Sequence, residues 1–193
     1  MANAVEIEAK VLLDDKEYEH LLKKLPLKQH VIQTNWYIDS ADRELEHAST
    51  RMGLRIRFVN GEYTLTLKAP MAEGLLEKEE LLGPSEAEQM IKKDLFPKGG
   101  IAYFLGTLDV DVKKLKTLAK LETERYYGLV DKCKVSLDKN TYLGKVDYEL
   151  EVDSDSMGTA QKEAKEILKG RKVEFNSLSK QARALNALEG SKK

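Results

Sequence analysis

VEIEAKV, the stretch at residues 5–11, alternates apolar and charged side chains with a period of two. This period is typical of a β-strand that buries one face. It places Glu6, Glu8 and Lys10 together on the other face. The sequence therefore predicts a first strand with one apolar face and one face of long, charged side chains.

Three further predicted strands repeat this pattern. They are residues 54–59 (LRIRFV), 63–68 (YTLTLK) and 145–153 (KVDYELEVD). Asn60-Gly61 separates the first two and is a strong signal of a type I′ hairpin. Like charges at positions i and i+2 repel along a strand, so two Glu-x-Glu strands and one Arg-x-Arg strand suit a solvated surface poorly. We infer that the charged faces converge inside a barrel, with the apolar faces outward beneath helices.

The remaining segments complete an α+β chain. Further strands are predicted at residues 29–39, 75–82, 118–130 and 134–138, which makes about eight strands in all. Helices are predicted at residues 14–25, within 84–114, and at 158–169 and 177–188. Ser85 is the expected N-cap of the second helix. Turns are expected at Asp131-Lys132 and at Asn140.

Composition narrows the classes of partner and compartment. The chain has 193 residues, with 32 Lys and Arg against 33 Asp and Glu. Such a balance creates no overall field for nucleic acid or a membrane surface, so we expect neither as a partner. One cysteine, no signal-peptide pattern and no long apolar run indicate a cytoplasmic protein. We expect a single domain over residues 1–193, with a core at about 5–188 and a polar tail at 190–193.

The two kinds of charge on the predicted inner faces suit one class of ligand. Paired carboxylates bind hard divalent cations such as Mg²⁺. Arginine and lysine bind the oxygen atoms of phosphate groups. A cavity that carries both therefore suits a metal-bound polyphosphate.

The ordered motifs of this chain resemble the CYTH, or triphosphate tunnel metalloenzyme, superfamily. Its ExExK signature matches Glu6, Glu8 and Lys10. The further matches, spread over residues 5–188, are QTNWYID (33–39), LRIR (54–57), TLTLK (64–68), Glu77 with Glu79, TER (123–125), DYELE (147–151), and Lys180 with Arg183. The resemblance implies an eight-stranded antiparallel β-tunnel, a closed barrel with helices packed on the outside.

The resemblance also implies a site, residue by residue. The implied ligands of Mg²⁺ or Mn²⁺ are Glu6, Glu8, Glu77, Glu79, Glu149 and Glu151. The implied phosphate-binding residues are Lys10, Arg55, Arg57, Lys68, Arg125, Lys180 and Arg183. The implied catalytic residues are Glu6, Glu8, Lys10, Glu149 and Glu151. Many members carry an arginine two residues before the mid-chain glutamate, whereas this chain has Leu75 before Glu77.

The activity that this resemblance implies is metal-dependent hydrolysis of a small-molecule triphosphate, either inorganic tripolyphosphate or an organic triphosphate. Two alternatives stay open on these residues alone. One is a class IV-type adenylate cyclase, in which the same site holds ATP while its ribose oxygen attacks the α-phosphorus. The other is a non-catalytic binder of polyphosphate or nucleotide. A homodimer is a further open alternative.

Overall fold

One nine-stranded antiparallel sheet organises the computed structural model, which describes residues 2–47 and 51–190. The strands are β1 (Ala2–Glu6), β2 (Glu8–Leu13), β3 (Gln29–Asp39), β4 (Gly53–Val59), β5 (Glu62–Pro70), β6 (Leu75–Leu82), β7 (Lys116–Val130), β8 (Cys133–Tyr142) and β9 (Lys145–Asp153). Their order across the sheet is β1-β6-β5-β4-β3-β7-β8-β9-β2.

Six α-helices accompany the sheet within the described residues. They are α1 (Asp15–Lys24), α2 (Glu44–His47), α3 (Pro84–Lys93), α4 (Gly100–Thr107), α5 (Met157–Ile167) and α6 (Lys180–Gly190), with a short 3₁₀ helix at Val112–Lys114. The expected α+β class is confirmed. No helix among residues 2–47 and 51–190 combines the length and apolar character needed to cross a bilayer.

The first strand differs from its prediction. The chain leaves the ladder at Ile7, so β1 pairs with β6 and β2 pairs with β9, at opposite edges of the sheet. Nine strands therefore replace the expected eight. The expected closed barrel is also overstated, because the edges of this curled sheet are joined through the covalent chain at Ile7 and not by a ladder between β1 and β2.

The convex face of the sheet carries most of the apolar core. Val11, Val135 and Leu150 are fully buried in a cluster that also contains residues of α1 and α5. Ile56 and Leu65 are fully buried in a second cluster, with residues of α3 and α4. The apolar positions of the alternating strands therefore face outward under the helices, as the sequence predicts.

Local signals account for most element boundaries. Asn60 and Gly61 have φ values of 52° and 86°, which confirms the tight β4–β5 hairpin. Ser85 is not the N-cap of α3, because the helix begins at Pro84 and Gly83 takes that position. Asn140 does not form a turn, because its side chain is bonded inside the sheet and β8 continues to Tyr142.

Candidate active site

A charged row crosses the concave face of the sheet. The strand register places Tyr37 opposite Arg55, Arg55 opposite Thr66, and Thr66 opposite Glu79. Because directly opposed residues share a face, these side chains of β3, β4, β5 and β6 lie on one surface. Thr66 is fully buried and Tyr37 is 2% exposed, so this surface is an interior.

On one wall, formed by β1, β4, β5 and β6, each inward-facing basic residue is paired with a carboxylate. Arg57 donates a hydrogen bond to Glu79 at 2.8 Å, and Arg55 lies 3.7 Å from Glu77. Lys68 pairs with Glu6 on this wall, and Lys10 pairs with Glu8 at 3.0 Å on β2, beside β9. The six residues of this wall that were expected to bind metal or phosphate therefore lie together in the sheet interior. Lys10 and Glu8 lie in the same interior.

The opposite wall, formed by β7, β8 and β9, is more deeply buried. Arg125 donates two hydrogen bonds to Asp138, from Nε at 2.7 Å and from Nη2 at 2.6 Å. It also contacts Glu151. Asp138 and Glu149 are both fully buried. This two-point geometry orients the Arg125 guanidinium rigidly towards the interior.

Helix α6 supplies two more cations to this wall. Lys180 Nζ lies 2.8 Å from Asp138 and 2.9 Å from Glu149, and it also contacts Glu151. Arg183 donates to Glu149 at 2.9 Å and to Asp147 at 3.0 Å. The two basic residues expected on the closing helix therefore bind carboxylates of β8 and β9.

These ion pairs dominate the protonation of the buried wall. Burial opposes the charge on Lys180, but Asp138, Glu149 and Glu151 raise its pKa well above the usual value. Burial also opposes ionisation of Glu151, yet Lys180 and Arg125 lower its pKa well below the usual value. Both groups are therefore charged at neutral pH.

Two groups of carboxylates could hold a cation. Glu6, Glu8 and Asp153, the N-terminal carboxylate cluster, each offer an oxygen atom within 4.8 Å of the others. Asp138, Glu149 and Glu151, the β9 carboxylate cluster, do the same. Only oxygen ligands are present in both clusters, which fits Mg²⁺ or Mn²⁺.

The N-terminal carboxylate cluster is the one whose charge is less compensated. Burial and the charges of Glu8, Glu151 and Glu6 raise the pKa of Asp153 to about 7. Burial and Glu151 raise the pKa of Glu8 as well. For Glu6, burial is outweighed by Lys68, which lowers the pKa. A divalent cation would relieve this repulsion, whereas in the β9 carboxylate cluster Lys180 already does so.

The six expected metal ligands do not form one group. Glu77 and Glu79 form ion pairs with arginines of β4 instead. Sequence reasoning missed Asp138 and Asp153 as members of the two clusters. Asp153 lies in the alternating stretch 145–153. Asp138 lies on the face of its strand away from the apolar side chains of Val135 and Leu137. The period-two pattern therefore places both carboxylates on the charged faces.

Several buried polar atoms of the interior have no hydrogen-bond partner among the described residues. They are Asn35 Oδ1, Tyr37 Oη, Ser136 Oγ, and Nε of both Arg55 and Arg57. A buried polar atom without a partner is unfavourable, so these atoms are suited to meet a polar ligand or ordered water. They lie on both walls of the interior.

Comparison with known proteins agrees with this architecture. A family model described as the CYTH domain matches residues 4–185. The Bacillus subtilis protein named "Putative triphosphatase YjbK" is 34% identical over 158 residues, covering 80% of each chain.

Solved structures with this fold include the crystal structure of a "putative adenylate cyclase" from Bacillus halodurans. It is 30% identical, with a TM-score of 0.85, and the match covers 95% of this chain and 98% of that one. HpAC1 from Hippeastrum, described as having a dominant triphosphatase activity, is 25% identical with a TM-score of 0.70. That match covers 94% of this chain and 95% of HpAC1.

Proposed function

Since the chain belongs to the CYTH domain family, we propose that it is a metal-dependent hydrolase of a triphosphate, either inorganic tripolyphosphate or an organic triphosphate. One observation carries the proposal most directly. Cations from β2, β4, β5, β7 and α6 meet paired carboxylates on one buried concave face. A relative named as a triphosphatase and HpAC1, with its triphosphatase activity, support the same reaction class.

Phosphate binding is assigned to the basic residues of that face. They are Lys10, Arg55, Arg57, Lys68, Arg125, Lys180 and Arg183. Within the protein, Lys68 contacts Glu6 and Arg57 contacts Glu79. A triphosphate offers stronger acceptors to the same donors, so we expect these cations to transfer from carboxylate to phosphate when the substrate binds.

Metal binding is assigned first to the N-terminal carboxylate cluster. Glu6, Glu8 and Asp153 would hold Mg²⁺ or Mn²⁺. A bound divalent ion would neutralise phosphate charge and lower the pKa of a coordinated water molecule. Glu149 and Glu151 were expected as ligands too, but they could serve only if Lys180 left the β9 carboxylate cluster.

The residues of the interior then account for the reaction. Hydrolysis joins a water oxygen to the terminal phosphorus and breaks the bridging P–O bond, and the bridging oxygen leaves with the diphosphate. Negative charge builds up on the oxygens around the transferred group. Arg125, held in place by Asp138, and Arg55 and Arg57 on the facing wall would stabilise that charge.

The test is phosphate release by the purified protein from tripolyphosphate, ATP and thiamine triphosphate, each with Mg²⁺ or Mn²⁺. Glu8→Gln should reduce the rate at least about 100-fold, because it removes a ligand from the N-terminal carboxylate cluster. Glu88→Gln is the matched control, since Glu88 is exposed on α3 and its one ion pair within the described part of the chain is with Lys92 at 3.4 Å. It should leave the rate unchanged.

The same reactions separate the other functions. Formation of cyclic AMP from ATP without phosphate release would establish a cyclase instead. Tight binding of tripolyphosphate without any turnover would establish a binding protein. Either result would overturn the hydrolase proposal.

A further inference from the structure

Solvent reaches the charged interior at the end where β7 finishes and β3 begins. Along the inward positions of β7, the exposed fraction falls from 72% at Leu129 to 1% at Thr123. On β6 the side chain of Glu79 is 33% exposed, whereas that of Glu77, two residues further in, is 15% exposed. A ligand can therefore approach the charged residues from this end.

On the β3 and β7 side, the inward positions of this entrance are apolar. Tyr127 and Leu129 follow Arg125 at successive inward positions of β7, because every second side chain of a strand shares a face. Val31 of β3 is directly opposite Arg125 in the register, so it lies on the same face. Three apolar side chains thus lie next to a guanidinium that was assigned to phosphate binding.

The β4 and β6 side of the entrance repeats this arrangement. Val59 follows Arg57 at the next inward position of β4. Leu81 of β6 is directly opposite Thr64, which is itself opposite Arg57. Both apolar side chains therefore share the concave face with Arg57. We call the five inward apolar residues of the entrance the apolar collar: Val31, Val59, Leu81, Tyr127 and Leu129.

The exposure of the collar leucines is unusual for this chain. Leu81 is 74% exposed and Leu129 is 72% exposed, and they are the two most exposed leucines among the described residues. Three strands, β5, β4 and β3, separate β6 from β7, so these leucines belong to different walls. Single exposed leucines are common, but apolar side chains grouped around the entrance to a site are typical of a ligand-binding surface.

Tyr127 gives the collar a flat aromatic surface. Its side chain is half-buried, and it forms no ring pair or cation–π contact with another residue that the structure describes. Aromatic rings favour offset-stacked contacts with other rings. Gln29, opposite Tyr127, and Lys134, opposite Leu129, add polar groups beside it. Such a surface suits a planar heterocycle better than an unbranched polar group.

The spacing connects the collar with the phosphate site. Two residues along a strand span about 7 Å, so Tyr127 and Val59 lie one such step outward from Arg125 and Arg57. A substituent on the outer phosphate of a triphosphate held by these arginines would lie against the collar. Inorganic tripolyphosphate has no such substituent and would leave the collar in water.

We propose that the apolar collar binds an aromatic substituent, so that the substrates of this protein are organic triphosphates with an aromatic group on the outer end. This inference rests on the proposed hydrolysis and defines its substrate class. The terminal phosphate leaves as orthophosphate, and the aromatic group stays on the diphosphate product.

The test compares benzyl triphosphate, methyl triphosphate and tripolyphosphate as substrates of the 193-residue chain with Mg²⁺. The two esters carry the same full ionic charge, so they differ in the aromatic ring and not in electrostatic attraction. We expect benzyl triphosphate to have a kcat/KM about 10-fold above that of methyl triphosphate, and also above that of tripolyphosphate. The difference should lie in KM, because the ring is bound equally before and during phosphoryl transfer.

Two variants assign this preference to the collar. Tyr127→Leu removes the aromatic surface, and Leu129→Gln removes an apolar one without adding charge. Each should reduce the ratio of the two ester values to less than about 3. Leu95→Gln is the matched control, since Leu95 is 54% exposed but lies after α3, outside the sheet. It should retain the ratio. Because each ratio is taken within one preparation, a loss of folded protein does not change it.

The outcomes separate this inference from the proposed function. Equal kcat/KM values for the two esters, or the highest value for tripolyphosphate, would overturn the aromatic substrate class. A preference for the benzyl ester that persists in both collar variants would overturn the assignment to the collar. Absence of hydrolysis of all three compounds would instead overturn the proposed hydrolase function.

Discussion

At the scale of single residues, a few buried side chains of opposite charge keep each other ionised in the interior. Arg125 binds Asp138 through two parallel hydrogen bonds. Asp138 in turn contacts Lys180. Removing one member leaves the others as buried charges without a partner. The resulting loss of folding stability is larger than the stability that the intact pair contributes.

Arg125 is therefore expected to serve both fold and activity. Arg125→Ala should lower the free energy of unfolding by about 3 kcal/mol, because Asp138 and Glu151 lose a partner. It should reduce phosphate release at least about 100-fold. Arg125→Lys keeps the charge but not the two-point geometry, so it should recover more stability than activity. Denaturant unfolding measures the stability and initial rates measure the activity. Equal recovery of stability and activity in Arg125→Lys would contradict this prediction.

Asp153 gives the ligand-free protein a specific pH dependence. Its pKa in the folded protein is about 7, against an ordinary value of 3.8. The unfolded chain therefore releases this proton first as the pH rises, so ionisation of Asp153 lowers stability progressively between about pH 4 and pH 7. Below about pH 4 Asp153 does not change the stability, and above about pH 7 its full destabilising effect is present.

Asp153→Asn should remove this loss. Above pH 7 and with chelator present, the variant should be more stable than the natural protein by up to about 2 kcal/mol once solvent screening is counted. Near pH 4 the two should be equally stable. Urea unfolding at a series of pH values measures the difference, and a constant difference across the series would contradict the assignment.

At the scale of elements, the junction between β1 and β2 depends on a neighbouring turn. Gly74, before β6, has a φ of 77°, and a Cβ atom there would lie 2.4 Å from the backbone oxygen of Glu6. Both the backbone conformation and the space favour glycine. The turn thus packs directly against the residue that begins the ExExK motif.

Gly74→Ala should therefore destabilise the fold by about 2–3 kcal/mol and weaken metal binding, because Glu6 must shift. Gly61→Ala is a matched control. Its φ is 86°, but no atom of the residues that the structure describes lies within 4 Å of its Cβ position, so the substitution should cost only about 1 kcal/mol. Thermal unfolding and Mn²⁺ titration distinguish the two variants. Equal effects would show that the contact with Glu6 is unimportant.

Helix α6 contributes a cation where a metal could otherwise bind. Lys180→Met should destabilise the metal-free protein by about 3–5 kcal/mol, because three carboxylates lose their ammonium partner. Mg²⁺ should then restore part of this loss by entering the β9 carboxylate cluster. Lys169→Met is the control, since the Lys169 side chain is 81% exposed. Melting curves with and without Mg²⁺ test this, and a variant insensitive to Mg²⁺ would contradict it.

The same elements show how far sequence reasoning extends. Period-two alternation and Asn60-Gly61 predicted β4, β5 and β9 closely, because those signals are local. The break at Ile7 was not predictable in this way, since alternation continues through it and only pairing with two distant strands divides the segment. The pairing of Lys180 with Glu149 was missed for a similar reason, because it depends on how α6 docks across the sheet.

At the scale of the whole molecule, folding brings cations and carboxylates into one interior, where they pair with each other. Pairs such as Arg57 with Glu79 and Arg183 with Glu149 compensate much of the charge on each wall. Metal and phosphate together could replace these pairs one for one, which leaves the total charge balance of the interior nearly unchanged. Binding of either alone would leave charges uncompensated.

Metal and triphosphate should therefore stabilise the protein cooperatively. A methylene-bridged triphosphate analogue with Mg²⁺, each at about 100 times its dissociation constant, should raise Tm by about 5–10 °C. Either one alone should raise Tm by less than half as much. Differential scanning calorimetry measures the shifts, with a chelator to reverse the effect of Mg²⁺. Additive effects of the two ligands would contradict this linkage.

The junction at Ile7 also bears on the order of events during synthesis. β1 must pair with β6, and Glu8 of β2 must pair with Asp153. Strand β2 is synthesised long before β9 and is thus among the last strands of the sheet to find its partner. Such distant pairing is slow to form and leaves both sheet edges exposed to other chains meanwhile. We therefore expect the nascent chain to remain protease-sensitive at β2 until β9 has been released.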